Sequence, residues 1–361
     1  MTQLRPLHRL NSRRFDTPAI LRKLATASRK LAELKGVVAS IPNEGILINT
    51  LGLQEAKDSS AIENIVTTHD ELFRDAASPG VEAGPAKEVA RYSAALHEGF
   101  KLVSKQQLLT TNHILKVQEV LEPEKAGLRK VPGTTLRDDA GRVVYTPPSP
   151  DQLADMMGDL DQFMNDDDRF DADPLIKMAL VHHQFESIHP FYDGNGRTGR
   201  IICVLYLVKQ ALLDIPVLYL SRHIVRTKSE YYRLLQEVRD DDKWEAWVIY
   251  MLTAVEHTAT EGIASVVAIR DLLLKVKHKV RADYKFYSQD LINNLFMHPY
   301  TKIEYLQRDL GVKRLTASRY LDALVDGGIL KKQKVGRTNY YINTKLFRIL
   351  SGESMTEGED R

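Results

Sequence analysis

The sequence predicts a mainly α-helical protein with one β-hairpin set into a helical core and a winged helix-turn-helix unit near its C-terminus. Three observations carry that expectation. Apolar residues recur at helical spacing over most of residues 18–280. The spacing gives way at 127–150, where two short β-type runs flank Asp138-Asp139-Ala140-Gly141. After residue 283 the order becomes helix, turn, helix, hairpin.

The 361 residues suffice for two or three domains with a sizeable core. The expected division is an N-terminal helical region (1–105), a central helical domain (106–282), a winged-helix domain (283–350) and a flexible polar tail (351–361). Lys plus Arg number 50 against 48 Asp plus Glu, so any nucleic-acid site must be local. The single cysteine, Cys203, excludes an intrachain disulfide framework and fits a reducing cytoplasm, the expected location. No stretch approaches the ~20 apolar residues of a membrane span, and Met1 to Pro6 carries no signal-type apolar core.

Taken in order, Pro18 to Val38 reads as a helix through Ile20, Leu24, Ala27, Leu31 and Leu34, and Asn43 to Leu53 as a second. Ser60-x-x-Glu63 has the form of a capping box, the local signature of a helix start. Gly80 to Pro85 is a loop. Lys87 to Ser104 and Leu108 to Leu121 are amphipathic helices. Thr134–Arg137 and Arg142–Thr146 pair as a hairpin that Pro147 and Pro148 stop. Asp151 to Met164 is a helix, and Asn165 to Asp168 reads as a solvated acidic link. Leu175 to Ile188 and Ile201 to Val208 are buried helices. His182 and Glu186 have helical i, i+4 spacing, but without a full zinc-protease pattern they read as structural or surface residues. Tyr231 and Tyr232 lie in a further helix, Trp244 to Met251 continue the core, and a long helix from about Ala254 to Val280 leads out of the central domain. In the last unit Ile303–Leu310 and Thr316–Val325 are helices. Lys313, Arg314 and Arg319 lie by the second, and Lys331, Lys332, Lys334 and Arg337 dress the wing.

The chemistry concentrates between the two buried helices, in His189-Pro-Phe-Tyr-Asp-Gly-Asn-Gly-Arg-Thr-Gly-Arg200. Gly194 and Gly196 flank Asn195 and let backbone N–H groups turn inward. A helix starts just beyond, so its first-turn amides, through Thr198 and Gly199, and its positive dipole end face the same point. That is an anion site of the phosphate-cradling kind. Arg197 and Arg200 share one helical face and offer forked donors to further phosphates. Asp193 is a carboxylate at the rim, the usual holder of Mg²⁺ beside phosphate. His189 has the near-neutral pKa of a general base. A Gly-Asn-Gly alone would mark only a helix start; five functional residue types within twelve positions point to a site.

This string resembles the signature of the Fic family, His-Pro-Phe-x-Asp/Glu-Gly-Asn-Gly-Arg-x-x-Arg, at every fixed position. The resemblance implies a protein adenylyltransferase that moves AMP from ATP, with Mg²⁺, to a Ser, Thr or Tyr hydroxyl of a target protein, itself included. His189 would be the base, Asp193 the metal holder and residues 194–200 the triphosphate cradle. Ser59-x-x-x-Glu63-Asn64 fits the family's inhibitory motif, and the resemblance implies that Glu63 pairs with Arg200 in the place of the γ-phosphate. It further implies that the hairpin is a flap over nucleotide and target, with Val143, Val144 and Tyr145 in contact, and that Tyr231 and Tyr232 lie by adenine and ribose. Alternatives stay open: a DNA-binding regulator with a nucleotide-sensing core, and an enzyme that removes AMP. The winged helix is expected to contact DNA or protein, and self-association as a homodimer remains a further option.

Overall fold

The structure, a computed structural model, describes residues 4–77, 84–138, 140–336 and 338–352. The expected loop at 80–85 falls largely outside them, as do Asp139 of the hairpin turn, Arg337 of the wing and tail residues 353–361.

After two 3₁₀ turns anchored by buried Leu7 and Phe15, α1 spans Pro18–Val38, with Thr17 Oγ accepting from the Ile20 N–H and proline at its first position. Helix α2 spans Glu44–Ile62, α3 His69–Ala77, α4 Pro85–Gln106 and α5 Thr111–Leu121. Strands β1 (Leu136–Arg137) and β2 (Val143–Tyr145) pair antiparallel, with an irregular register at Leu136/Arg137. Helix α6 covers Leu153–Asn165, α7 Pro174–Ile188, α8 Asn195–Lys209, α9 Leu220–Arg226 and α10 Lys228–Asp241. Helix α11 is one 40-residue helix, Trp244–Asp283, which makes the expected core and exit helices continuous.

The centre of the core is the α7–α8 pair. Every residue from Leu175 to Ile188 is buried, and so is every residue from Arg197 to Val208. A helix apolar on all sides needs cover on all sides. Helices α4, α5, α6 and α11 supply it, helped by α1 and α2, with α1 laid along α11. Among the described residues, no helix is long and apolar enough to cross a membrane.

The C-terminal unit follows as α12 (Gln289–Met297), β3 (Tyr300–Thr301), α13 (Ile303–Leu310), α14 (Arg314–Asp326), β4 (Lys331–Val335), β5 (Thr338–Ile342) and α15 (Thr344–Ser351). Its sheet order is β3-β5-β4, all antiparallel, the element order of a winged helix-turn-helix. The unit is docked on the N-terminal region. Gln54 of α2 donates its amide to the Leu350 carbonyl, the Phe73 ring stacks 6.2 Å from Tyr300, and Asn43 reaches Met297 Sδ at 3.7 Å.

Three readings are corrected. The second helix does not stop at Leu53 but runs to Ile62, because Thr50, Gln54, Glu55 and Ser59 are polar residues with buried partners. Ser60-x-x-Glu63 is therefore not a helix start: the Glu63 N–H bonds the Ser60 carbonyl, and Asn64, at φ 62°, ends the helix with Ile65 N–H reaching back to Ser60. The acidic link is anchored rather than merely solvated, since Asp167 accepts from the buried Lys177 ammonium at 3.0 Å and from Gln210 at 2.9 Å.

Candidate active site

His189 caps the carboxyl end of α7, in the left-handed region at φ 48°, and its N–H bonds the Phe185 carbonyl. The turn is held from two sides. Arg129, itself 2% exposed, donates Nε to the His189 carbonyl at 2.9 Å and also reaches Ile188 and Pro148 carbonyls. Arg239 of α10 donates to Ser187 Oγ at 3.0 Å and to the Glu186 carbonyl at 3.1 Å. Burial pushes the His189 imidazole down to about 4, with the Arg239 and Arg129 charges acting the same way. It is therefore neutral at pH 7, the form that can accept a proton.

The loop then closes on itself. Asn195 is 3% exposed; its Oδ1 accepts from the Phe191 N–H and its Nδ2 donates to the Phe191 carbonyl, both at 2.9 Å. Phe191 is fully buried, and Tyr192 Oη accepts from the Lys130 N–H at 2.7 Å. Gly194 takes φ 76° as the residue before α8, a conformation that suits glycine. The Asp193 carboxylate is partly exposed and accepts from Lys125 Nζ at 2.5 Å and from the Gly194 N–H. Burial would raise its pKa, but Lys125, the Gly194 amide and Arg197 outweigh that and hold it low.

The two arginines of the first turn are both engaged, with different partners. Arg200 is 1% exposed. Its Nε donates to Ser59 Oγ at 2.8 Å, and its Nη2 to the Ser59 carbonyl at 2.9 Å and to Glu63 Oε1 at 3.0 Å. Burial alone would lower its pKa; the Glu63 carboxylate, with the Tyr231 and Tyr92 phenols and Glu186, turns the shift upward. The same Glu63 oxygen lies directly over Gly196, where any Cβ would collide with it and stand 3.0 Å from the Arg200 guanidinium. Asn64 Oδ1 accepts from Lys228 Nζ at 3.1 Å. Arg197, 4% exposed, instead donates to Glu122, just past the end of α5, at 2.6 Å and to Glu88 of α4 at 3.2 Å.

The remaining predicted residues divide. Thr198 is fully buried, and the α-carbon of Gly199 faces Glu186, Phe185 and His182. Burial pushes Glu186 up to about 7. Tyr231 is buried, its hydroxyl 2.8 Å from His182 Nε2 and its ring against Trp247, while Tyr232 is half-exposed. His183 lies 3.2 Å from the Leu235 carbonyl; both histidines are core, not surface. In the hairpin, Val143 and Val144 are exposed, whereas Tyr145 donates its hydroxyl to the Ser187 carbonyl at 3.0 Å under the Arg239 guanidinium, 4.1 Å from its ring. The sequence reading missed Arg129, Arg239, Glu88, Glu122 and Lys125, all lone charged residues outside any motif.

Three family descriptions match the chain: Fic/DOC family N-terminal over residues 21–101, Fic/DOC family over 103–207, and protein adenylyltransferase SoFic-like, C-terminal domain, over 272–346. The chain is similar to protein adenylyltransferase fic-1 of Caenorhabditis elegans, 29% identical over 165 residues, covering 44% of this chain and 30% of that protein. It is 25% identical to protein adenylyltransferase Fic of Nematostella vectensis over 193 residues, covering 51% of this chain and 42% of that one. It therefore spans less than half the length of these curated relatives. Among solved structures, a Fic family protein from Desulfovibrio desulfuricans G20 superposes with TM-score 0.57 at 20% identity, covering 90% of this chain and 96% of that one. Fic-1 of C. elegans superposes at 0.55 with 23% identity, covering 71% and 76%. At these identities the structures speak for the fold.

Proposed function

The chain belongs to the Fic/DOC family, and from that premise we propose that it is an auto-inhibited protein adenylyltransferase, transferring AMP from ATP to a Ser, Thr or Tyr hydroxyl of a target protein, itself included. One observation carries the inhibited state: a carboxylate of the chain's own, Glu63, lies over Gly196 at the amino end of α8 and pairs with Arg200. An anion site filled by a built-in anion is closed to a third phosphate until the carboxylate leaves.

In the proposed reaction the target hydroxyl oxygen bonds to the α-phosphorus, the bond from that phosphorus to the β-phosphate oxygen breaks, and pyrophosphate departs. Neutral His189 takes the hydroxyl proton. Residues 194–196 contribute backbone amides, and Arg200 contributes its fork once Glu63 has left. Asp193 would hold Mg²⁺, which would offset phosphate charge. The residue fits a hard cation, since its carboxylate is held ionised and already carries the Lys125 ammonium. Tyr145, Arg129 and Arg239 act through the turn that presents His189 and are positioning residues.

The test is Glu63→Gly incubated with α-labelled or γ-labelled ATP. Label retained on protein only from the α position, and lost in a Glu63→Gly/His189→Ala double variant, is the expected result. Retention from the γ position, or turnover that ignores His189, contradicts the proposal. A DNA-binding regulator is the weaker reading. Arg314 and Lys332, two of the basic residues on the winged unit, are already paired with Glu304 at 3.0 Å and Asp322 at 2.7 Å. Salt-dependent, sequence-selective DNA binding would revive it.

A further inference from the structure

We propose that a cavity beside the hairpin is a specificity subsite for an acidic stretch of the target protein, next to the hydroxyl that is modified. The inference rests on the adenylyltransferase reading and adds the substrate's charge to it.

The cavity, of about 400 Å³, lies between β2, the carboxyl half of α10 and the N-terminal segment. Ligand pockets run from roughly 300 to 1,000 Å³, so it can take side chains rather than only water. Val144 and Tyr145 form one wall, Arg239 another, and Arg5, Arg9 and Arg14 the third. None of residues 194–200 lines it, so it is separate from the anion cradle. It is nevertheless tied to the base. Tyr145 and Arg239, which line it, are the residues bonded to Ser187 and Glu186, just ahead of His189. A chain segment laid along the exposed face of β2, where Val143 and Val144 stand in solvent, would pass the His189 turn and run on into the cavity.

The charge of the lining points to the occupant. Four arginines face two aspartates, Asp240 and Asp242. Arg14 is neutralised by Asp242 at 2.9 Å, and Arg239 is spent on the α7 turn. Arg5 and Arg9 lie at the exposed rim, and among the described residues neither makes an ion pair, while Asp240 accepts the Gln236 amide at 3.0 Å. The surplus is positive and forked, which suits carboxylates. The rim is also built rather than draped. The segment is anchored by its own buried Leu7 and Phe15, and Gln184 donates to the Arg5 carbonyl at 3.0 Å.

The experiment uses the full chain with Glu63→Gly and fluorescein-labelled twelve-residue peptides, each with one central Thr flanked by Asp and Glu, by Lys, or by Ser and Gly. Fluorescence anisotropy reads binding, and α-labelled ATP reads transfer. The acidic peptide is expected to bind and to be labelled at least about tenfold better than the basic one. Arg5→Glu/Arg9→Glu in the same background reverses that order while ATP binding and melting temperature stay put, since both side chains are exposed. Equal binding of all peptides, no binding of any, or a preference that survives the charge reversal overturns the subsite. So does displacement of the acidic peptide by equimolar free glutamate, which would mark a small-anion site. If the Glu63→Gly protein labels neither peptide nor itself, the adenylyltransferase reading fails, and the anisotropy still judges the subsite.

Discussion

Two carboxylate clasps close on the first turn of α8, and they differ in what remains when the carboxylate is removed. Arg200 is held by Glu63, but also by the hydroxyl and carbonyl of Ser59. Arg197 is held by Glu122 at 2.6 Å and Glu88 at 3.2 Å, with Asp193 farther off at 3.8 Å. Without Glu63, the buried Arg200 guanidinium keeps two hydrogen bonds. Without Glu122, the buried Arg197 loses its shortest partner and keeps only Glu88 at 3.2 Å and Asp193 at 3.8 Å, both partly exposed. Removing half of a buried pair is costly because of the charge left behind. On the proposed function the first clasp is the latch, and the second is an anchor joining α8 to α4 and to the end of α5. From the sequence both arginines had the same job, gripping phosphate; in the structure only Arg200 meets the anion placed over Gly196.

The largest expected effect separates the two. Glu63→Gly should raise AMP incorporation on the order of 10- to 100-fold, the range of a coupling of a few kcal/mol, with a melting temperature close to that of the parent. Glu122→Ala should not activate at all. If both variants activate alike, the cradle is inhibited by total negative charge and the distinction between latch and anchor is lost.

Second in size is the stability of the anchor. Glu122→Ala is expected to cost about 3 kcal/mol, because Arg197 is nine-tenths buried or more. Denaturant unfolding measures it, and a change below about 1 kcal/mol would mean that Arg197 finds water or another acceptor and can turn toward phosphate after all.

How much of this was legible follows from distance along the chain. The α7–loop–α8 unit could be read because its chemistry is contiguous: His189 to Arg200 lie in one string between two apolar runs. The anchor could not, since Glu122 and Glu88 are 75 and 109 positions from Arg197, and nothing local marks either. Helix α2 shows the opposite failure. Its apolar spacing fades after Leu53 because its buried face turns polar, with Gln54, Glu55 and Ser59 bonded to Leu350, Ser221 and Arg200. Ser60-x-x-Glu63 then looked like a helix start, since the same residue types cap one end of a helix and happen to close the other. Helix α15 was missed because its short amphipathic pattern runs into a polar tail.

Third comes the seat of the latch. Glu55, on α2 one turn before Ser59, lies against Ser221 and Tyr92, and burial pushes its carboxyl up to about 8. Its unfolded value is near 4.5, so between about 4.5 and 8 the unfolded chain loses a proton that the fold keeps. The contribution of Glu55 is therefore fully present at low pH and declines as pH rises through that window. Glu55→Gln, uncharged throughout, should gain stability relative to the parent as pH goes from 5 to 8, by on the order of 3 kcal/mol. A difference that does not vary with pH would show that Glu55 is ionised in the fold and that α2 is seated by charge.

The smallest effect asks whether the latch is held from inside or from outside. Beyond Glu63, this turn is tethered on its solvent side by Lys228 Nζ donating to Asn64 Oδ1, at 3.1 Å and exposed. A bond in water between a flexible ammonium and an amide oxygen is weak, because water competes for both groups. The Arg200 pair, by contrast, has one partner that is 1% exposed, where the same geometry is worth more. Lys228→Ala should therefore change AMP incorporation by less than about threefold and leave the melting temperature unmoved. Activation approaching that of Glu63→Gly would place the hold on the outer face, at the helix end that Asn64 turns, and would make the α10 surface, rather than the cradle, the point from which a partner releases the enzyme.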